Sequence, residues 1–147
     1  MHPSSSLWAA PAFLIKKENG KFRFICDYCR LNKVTQKDAT PVLNVDDILH
    51  RVAHGSIFAK IDLSDAFFQT LMHEPDIEKT TITTEFGLFE WVVMLQGTCN
   101  LPATQQHHLN EALHGLIGEI CEAYVDDIIV WAKDADELNS RLEAVLG

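Results

Sequence analysis

The stretch Ile120-Cys121-Glu122-Ala123-Tyr124-Val125-Asp126-Asp127-Ile128-Ile129-Val130-Trp131-Ala132 decides how this chain folds. Two apolar runs, Ile120 to Ala123 and Ile128 to Ala132, flank a pair of adjacent carboxylates. That is the pattern of a β-hairpin whose turn must carry acid. Acidic turn residues are ordinarily just solvated. A second acidic strand end well upstream, Ala59-Lys60-Ile61-Asp62-Leu63, turns this one into a candidate site.

At 147 residues and 47% hydrophobic content, the chain can bury a core as one compact domain, whereas two full domains would be a squeeze. No run approaches the roughly 18 uninterrupted apolar residues of a membrane helix, and Met1-His2-Pro3-Ser4-Ser5-Ser6 lacks a charged-then-apolar signal pattern. The expectation is an intracellular protein with no membrane partner, its four cysteines (Cys26, Cys29, Cys99, Cys121) reduced. Cys26-x-x-Cys29 offers half a zinc site, but no second Cys or His pair stands at the right spacing to close it.

The net charge of −9 is unevenly spread. From Lys16 to Lys37 seven bases (Lys16, Lys17, Lys21, Arg23, Arg30, Lys33, Lys37) face two acids (Glu18, Asp27), a net of +5, while the remainder sets five bases against nineteen acids, a net of −14. Such a basic arm suits phosphates, and the acidic body suits metal ions. A solvated strand face explains the charge of the arm equally well.

Taken in order, Ala12 to Ile15 and Phe22 to Cys26 are joined by Lys17-Glu18-Asn19-Gly20-Lys21, whose Asn-Gly predicts a tight turn in a basic hairpin. After Pro41, apolar residues at 45, 48, 49 and 52 predict a helix ending near Gly55. Ile57 to Leu63 predicts a strand with Asp62 at its C-terminal end, and Ser64 to Leu71 a helical turn carrying Phe67 and Phe68. Lys79 to Thr84 and Leu88 to Met94 predict a second hairpin around Glu85-Phe86-Gly87. Asn100 as N-cap and Pro102 in the first turn open a helix with an apolar stripe of Leu109, Ala112, Leu113, Leu116 and Ile117, closed by Gly118. One polar residue, Gln105, falls on that stripe. Asp136 to Leu146 predicts a last amphipathic helix with Leu138, Leu142 and Val145 inward. The fold class is α+β, an antiparallel sheet backed by helices with a separate basic hairpin layer.

These residues resemble the reverse transcriptase of gypsy-type long-terminal-repeat retrotransposons and, more distantly, of retroviruses. Four blocks match in the family's order: Pro11 to Asn32 with Lys16-Lys17, Asn19-Gly20, Arg23 and Asp27-Tyr28; Lys60 to Gln69; Gln96-Gly97 with Asn100, Pro102-Ala103-Thr104 and Gln106; and Tyr124-Val125-Asp126-Asp127. The resemblance implies a right-hand polymerase with fingers at about 1–37 and 70–101, a palm at about 38–69 and 102–147, and no thumb. It implies an RNA-directed DNA polymerase with Mg²⁺, or Mn²⁺ in its place, as cofactor. Its partners would be a primed RNA or DNA template and a dNTP. By matched position, Asp62, Asp126 and Asp127 are the catalytic acids, and metal is held by Asp62, Asp126, Asp127 and the carbonyl of Leu63. Lys17, Arg23, Asp65, Ala66, Phe67 and Gln96 meet the nucleotide, with Phe67 as the gate against a ribose 2′-hydroxyl. Lys16, Lys21, Arg30, Lys33 and Tyr124 meet nucleic acid. From the pattern alone, Phe67 and Phe68 are equally plain core, and Lys17 and Arg23 an ordinary exposed pair.

The departures count too. Cys29 replaces a basic residue, Leu95 stands where proline is common, and Gln105 where the family buries an aromatic. An unpaired buried amide costs about 1–3 kcal/mol, so the helix from 101 is expected to pack loosely. The primer-gripping hairpin, thumb, connection and RNase H segments are not among these residues, and they or a second copy of the chain are expected partners. The resemblance places the protein in the cytoplasm, within a virus-like particle, or in the nucleus. Two other readings stay open: a non-catalytic or domesticated remnant that binds nucleic acid or a partner, and a two-metal nuclease.

Overall fold

The computed structural model describes residues 1–39, 44–64 and 66–147. Pro41 and Asp65, both singled out above, lie outside the described residues. The length argument favoured one compact unit. The chain forms two compact units, Met1–Asp38 with Phe67–Leu101, and Ala39–Ala66 with Pro102–Gly147, each with a core of its own.

The first unit is built on a five-stranded sheet, from β1 (His2–Pro3), β2 (Ala10–Lys16), β3 (Phe22–Cys26), β5 (Ile82–Thr84) and β6 (Gly87–Glu90), in the order β1-β6-β5-β2-β3. β2 and β3 form the expected antiparallel hairpin, its turn closed by Lys17 N–H donating to the Lys21 carbonyl at 2.7 Å, with Gly20 at φ 79° as the Asn-Gly signal requires. The sheet is not wholly antiparallel, since β2 runs parallel to β5. The second hairpin is shorter than the apolar runs suggested: Lys79 and Thr80 belong to a 3₁₀ turn, Glu74–Thr80, and β6 stops at Glu90. Pro75 opens that turn, and Thr80 accepts from Trp91 N–H at 2.8 Å through a side chain that also bonds the Ile77 carbonyl. Its hydroxyl therefore binds into the turn and does not project from a strand. The core gathers Cys26, Tyr28, Ile82 and Leu95, with the Tyr28 hydroxyl donating to the Thr80 carbonyl at 2.7 Å. A short helix α1 (Cys29–Val34) follows β3.

The second unit has a three-stranded antiparallel sheet in the order β4 (Ile57–Asp62), β8 (Asp127–Ala132), β7 (Cys121–Tyr124). Alternation sends Cys121, Ala123, Ile128 and Val130 to one face, where Leu109 and Leu113 meet them together with Leu138, Leu142 and Val145 of α4 (Ala135–Leu146). Ile129 and Trp131 turn to the other face, against Ile48 and Val52 of α2 (Val45–Val52). Asn44 caps α2 by accepting from Asp46 N–H, and Asp134 caps α4 by accepting from Glu137 N–H. α3 (Leu101–Ala112) ends earlier than its apolar stripe predicted. Gly115 takes φ 82°, a left-handed geometry that stops a helix, and Leu116 and Ile117 reach the same core from the turn beyond it. The Asn100 side chain, expected to cap α3, bonds the Gln36 carbonyl and Asp38 N–H. Among the described residues, no helix is long and apolar enough to cross a membrane.

Candidate active site

In the second unit the ladder between β4 and β8 sets Asp62 opposite Asp127, and the β7–β8 ladder sets Tyr124 opposite Asp127. Val125 and Asp126 are therefore the two central residues of a tight hairpin turn. Val125 has φ 58°, the one positive φ outside glycine among the described residues. Positive φ at the first central position is the mark of a type II′ turn, whose usual occupant is glycine. A β-branched residue there costs about 1–3 kcal/mol and persists only if its surroundings over-determine it. Gln106 of α3 does so. Its Oε1 accepts from Val125 N–H at 3.1 Å, and its Nε2 donates to the Ala123 carbonyl at 2.9 Å and to Asn110 Oδ1 at 3.0 Å. The Gln106 side chain is 1% exposed, so these bonds are shielded from water. From the other side, Leu63 N–H donates to the Asp126 carbonyl at 2.9 Å and ties the turn to the end of β4. Backbone bonding thus brings Asp62, Leu63, Tyr124, Asp126 and Asp127 together.

The charges of this cluster are not only negative. Lys60 lies two residues before Asp62 on the same face of β4, and its Nζ stands 2.9 Å from Asp127 Oδ1, an atom shielded from water. Hydrogen bonding and attraction to Asp127, then the charges of Asp62 and Asp126, hold the Lys60 ammonium above its ordinary range. The fit to a metal is accordingly divided. Carboxylates and a carbonyl are the hard oxygens that Mg²⁺ takes. Yet no three His, Cys, Asp or Glu side chains among the described residues gather as ligands would, and one carboxylate is already bound to an ammonium. The donor chemistry fits, but the side chains do not preform a cage.

The other predicted residues are not part of this ladder and turn. Ala66 is buried at the start of a 3₁₀ turn, Ala66–Gln69, and belongs to the second unit. Lys16, Lys17, Lys21, Arg23, Arg30, Lys33, Phe67 and Gln96 belong to the first. Lys16 and Arg23 sit in the β2–β3 ladder, exposed, with Lys17 and Lys21 at its turn. Arg30 and Lys33 are exposed on α1, and Arg30 borders a cavity of about 330 Å³ together with Trp8, Tyr28 and Lys79. Phe67 is half-buried, while Phe68 is exposed and stacks on Trp91 at 6.1 Å. Gln96 precedes Gly97, which approaches the Cys26 carbonyl at φ 103°. Asn32 fixes that segment, donating to the Gly97 carbonyl at 2.7 Å and accepting from Cys99 N–H at 2.9 Å. Cys29, in place of a base, leans on Asp27, which raises its thiol and is itself lowered.

Sequence reasoning missed Lys60, Asn32 and Gln106 as structural parts of these sites. Strand alternation could have found Lys60, because it must share a face with Asp62. Gln106 carried a weaker signal, since it lies off the apolar stripe, where a glutamine looks like an ordinary surface residue, while the anomaly on the stripe is its neighbour Gln105. Gln105 is buried as expected but has a partner, so the expected penalty of an unpaired amide does not apply.

Comparison with known proteins adds three findings. A family model described as "Reverse transcriptase (RNA-dependent DNA polymerase)" matches residues 15–147. The retrovirus-related Pol polyprotein from transposon opus of Drosophila melanogaster is 34% identical over 99% of this chain, and that from transposon 297 of the same organism is 36% identical over 93%. The chain spans only 15% and 14% of those relatives. Among solved structures, the foamy viral protease-reverse transcriptase in complex with RNA/DNA hybrid superposes with a TM-score of 0.87 at 25% identity, over 97% of this chain and 19% of that one.

Proposed function

The chain belongs to the reverse transcriptase family, and from that premise we propose that it is the fingers and palm of an RNA-directed DNA polymerase, transferring nucleotides from dNTP to a primer 3′-hydroxyl. The observation that carries the reading is the register of β4 on β8, with Asp62 opposite Asp127 beside a turn held at Val125 by Gln106. Asp62 and Asp126, with the Leu63 carbonyl, are the ligands for divalent metal, and Asp127 assists. When bound, Mg²⁺ supplies activation of the primer hydroxyl and neutralisation of the departing pyrophosphate. The chain's own residues do the rest. Lys17 and Arg23 grip the triphosphate, the guanidinium in fork-like fashion. Asp65 and Ala66 offer backbone amides, Gln96 lies by the sugar, and Phe67 excludes a 2′-hydroxyl by bulk. Lys16, Lys21, Arg30, Lys33 and Tyr124 contact template and primer. The RNA/DNA hybrid named for the foamy viral structure supports a nucleic-acid partner of this kind.

Primer extension on an RNA template with Mg²⁺ tests the proposal, run beside Asp62→Asn. Extension by the wild type that the variant loses is the expected result, and extension that survives in Asp62→Asn refutes the assigned chemistry. One observation favours a second reading: the acids are not gathered as a metal cage. A remnant that binds template and primer without synthesis would give salt-sensitive binding and no extension, with Asp62→Asn indistinguishable from wild type.

A further inference from the structure

The acid cluster carries a cation of its own. Lys60 pairs with Asp127 at 2.9 Å and feels the charges of Asp62 and Asp126, on their own sheet and on the face of β4 that bears Asp62. Its partner Asp127 Oδ1 is withdrawn from water and, apart from that ammonium at 2.9 Å, has no hydrogen-bonding neighbour among the described residues. Three carboxylates at one hairpin end repel one another, and bringing them together without a counter-charge opposes folding. A lysine aimed into them supplies that charge. It also occupies Asp127, the carboxylate that assists the two proposed ligands, in a cluster whose acids stand in register yet are not gathered as ligands among the described residues. An ammonium is a compact point charge on a flexible stem, suited to be held and released where a bidentate guanidinium would stay.

We propose that Lys60 is the resident counter-ion of the acid cluster and that a divalent cation takes the cluster by exchanging against its ammonium. The inference rests on the metal reading of the site given under the proposed function, but half of its test needs no metal. In EDTA at low salt, a double-mutant cycle compares the melting of Lys60→Met, Asp127→Asn and the pair. The expected result is that Lys60→Met lowers the melting temperature in the wild-type background and less, or not at all, beside Asp127→Asn. Equal losses in both backgrounds overturn the counter-ion role. Calorimetry with Mn²⁺ alone then compares wild type, Lys60→Met and Lys60→Arg. Exchange predicts several-fold tighter binding by Lys60→Met and no gain for Lys60→Arg. Binding by Lys60→Met that is equal to or weaker than wild type overturns exchange. Should wild type bind no Mn²⁺ at all, the metal reading and exchange fall together, while the EDTA cycle still decides the counter-ion role. A third readout follows the amine itself: acetylation of Lys60, mapped by mass spectrometry, should accelerate on addition of Mn²⁺ in wild type and not in Asp127→Asn. An unchanged rate in both counts against release of the ammonium.

Discussion

Replacing Gln106 by leucine keeps the volume of a side chain that is 1% exposed and removes every bond it makes. Three groups lose a partner. The Asn110 amide is exposed and turns to water, which makes its loss small. The Ala123 carbonyl belongs to a residue with no exposure, and the Val125 amide is half-buried. Leaving one buried carbonyl and one partly buried amide unsatisfied costs about 2–4 kcal/mol together. For a chain of this size that lowers the melting temperature by roughly 6–13 °C. The loss should not be confined to stability, because the same bonds hold Val125 at φ 58° and so aim Asp126 and Asp127. Thermal melting beside single-turnover primer extension reads both effects. Gln106→Glu is the companion: it keeps an acceptor for Val125 N–H but sets a carboxylate against the Ala123 carbonyl, so it should lose nearly as much. A Gln106→Leu protein melting within about 2 °C of wild type would refute the account.

Arg51 and Glu122 make a second case. Glu122 is 1% exposed, its Oε1 accepts from Arg51 at 3.1 Å, and its Oε2 is buried without a partner among the described residues. Arg51→Met should therefore cost about 1.5–3 kcal/mol in urea melts, the range for a hydrogen bond to a charged group and below the roughly 3–5 kcal/mol of a fully buried pair, because the guanidinium is half exposed. Adding Glu122→Leu should restore most of it, and a double variant no better than Arg51→Met would count against a stranded charge. At the turn, Val125→Gly exchanges about 1–3 kcal/mol of strain for about 0.5–1 kcal/mol of glycine entropy, so it should melt no lower than wild type, whereas a loss above about 1 kcal/mol would show the positive φ to be unstrained. Alkaline stability follows from two buried acids. Burial first, and then the charge of Glu122, pushes the Cys121 thiol from 9.0 up to about 11. Burial pushes the Tyr28 hydroxyl far above 10.0. A raised folded value means stability fully present below the unfolded value and lost as pH rises, so denaturant midpoints should fall between pH 9 and 11. Cys121→Ala should flatten that slope, and an unchanged slope would show the thiol uncoupled from folding.

Much of the second unit was legible because its periods are clean. The apolar runs Ile120 to Ala123 and Ile128 to Ala132 gave the two strands to within a residue, and the 3.6-residue spacing of Leu138, Leu142 and Val145 gave the last helix with its inward face. The end of α3 was not legible, since Leu116 and Ile117 continue an apolar stripe that packs in the same core whether the backbone is helical or turned. Only Gly115, which a helix interior tolerates at a modest cost, marked the change. The parallel pairing of β2 with β5 joins segments distant in sequence, and no local pattern encodes it. For the site, the acids were legible as residue types and the hairpin as a pattern. Their supports were hidden because a glutamine in a helix and a lysine in a strand look like ordinary surface residues until the fold shows what they face.

The supports also explain where the sequence tolerates change and where it does not. The acids are aimed by backbone: the β4–β8 ladder, the Leu63 to Asp126 bond and the Gln106 clamp on Val125. A side chain anchored in this way can change its neighbours on α3 without moving the carboxylates, provided position 106 keeps one acceptor and one donor. Gln105 illustrates the point. It stands where the resemblance calls for a buried aromatic, yet the bond that aims the turn comes from the next residue, whose amide meets both Ala123 and Val125. The same reasoning holds in the first unit, where Asn32, not Cys29, fixes the Gly97 to Cys99 segment beside Gln96. Loss of a base at position 29 removes a charge from the surface of α1 and leaves that positioning bond in place. The two buried or half-buried amides that hold these segments in shape, Asn32 and Gln106, both stand in matched blocks, and the departure at position 29 falls on an exposed residue that makes none of those bonds.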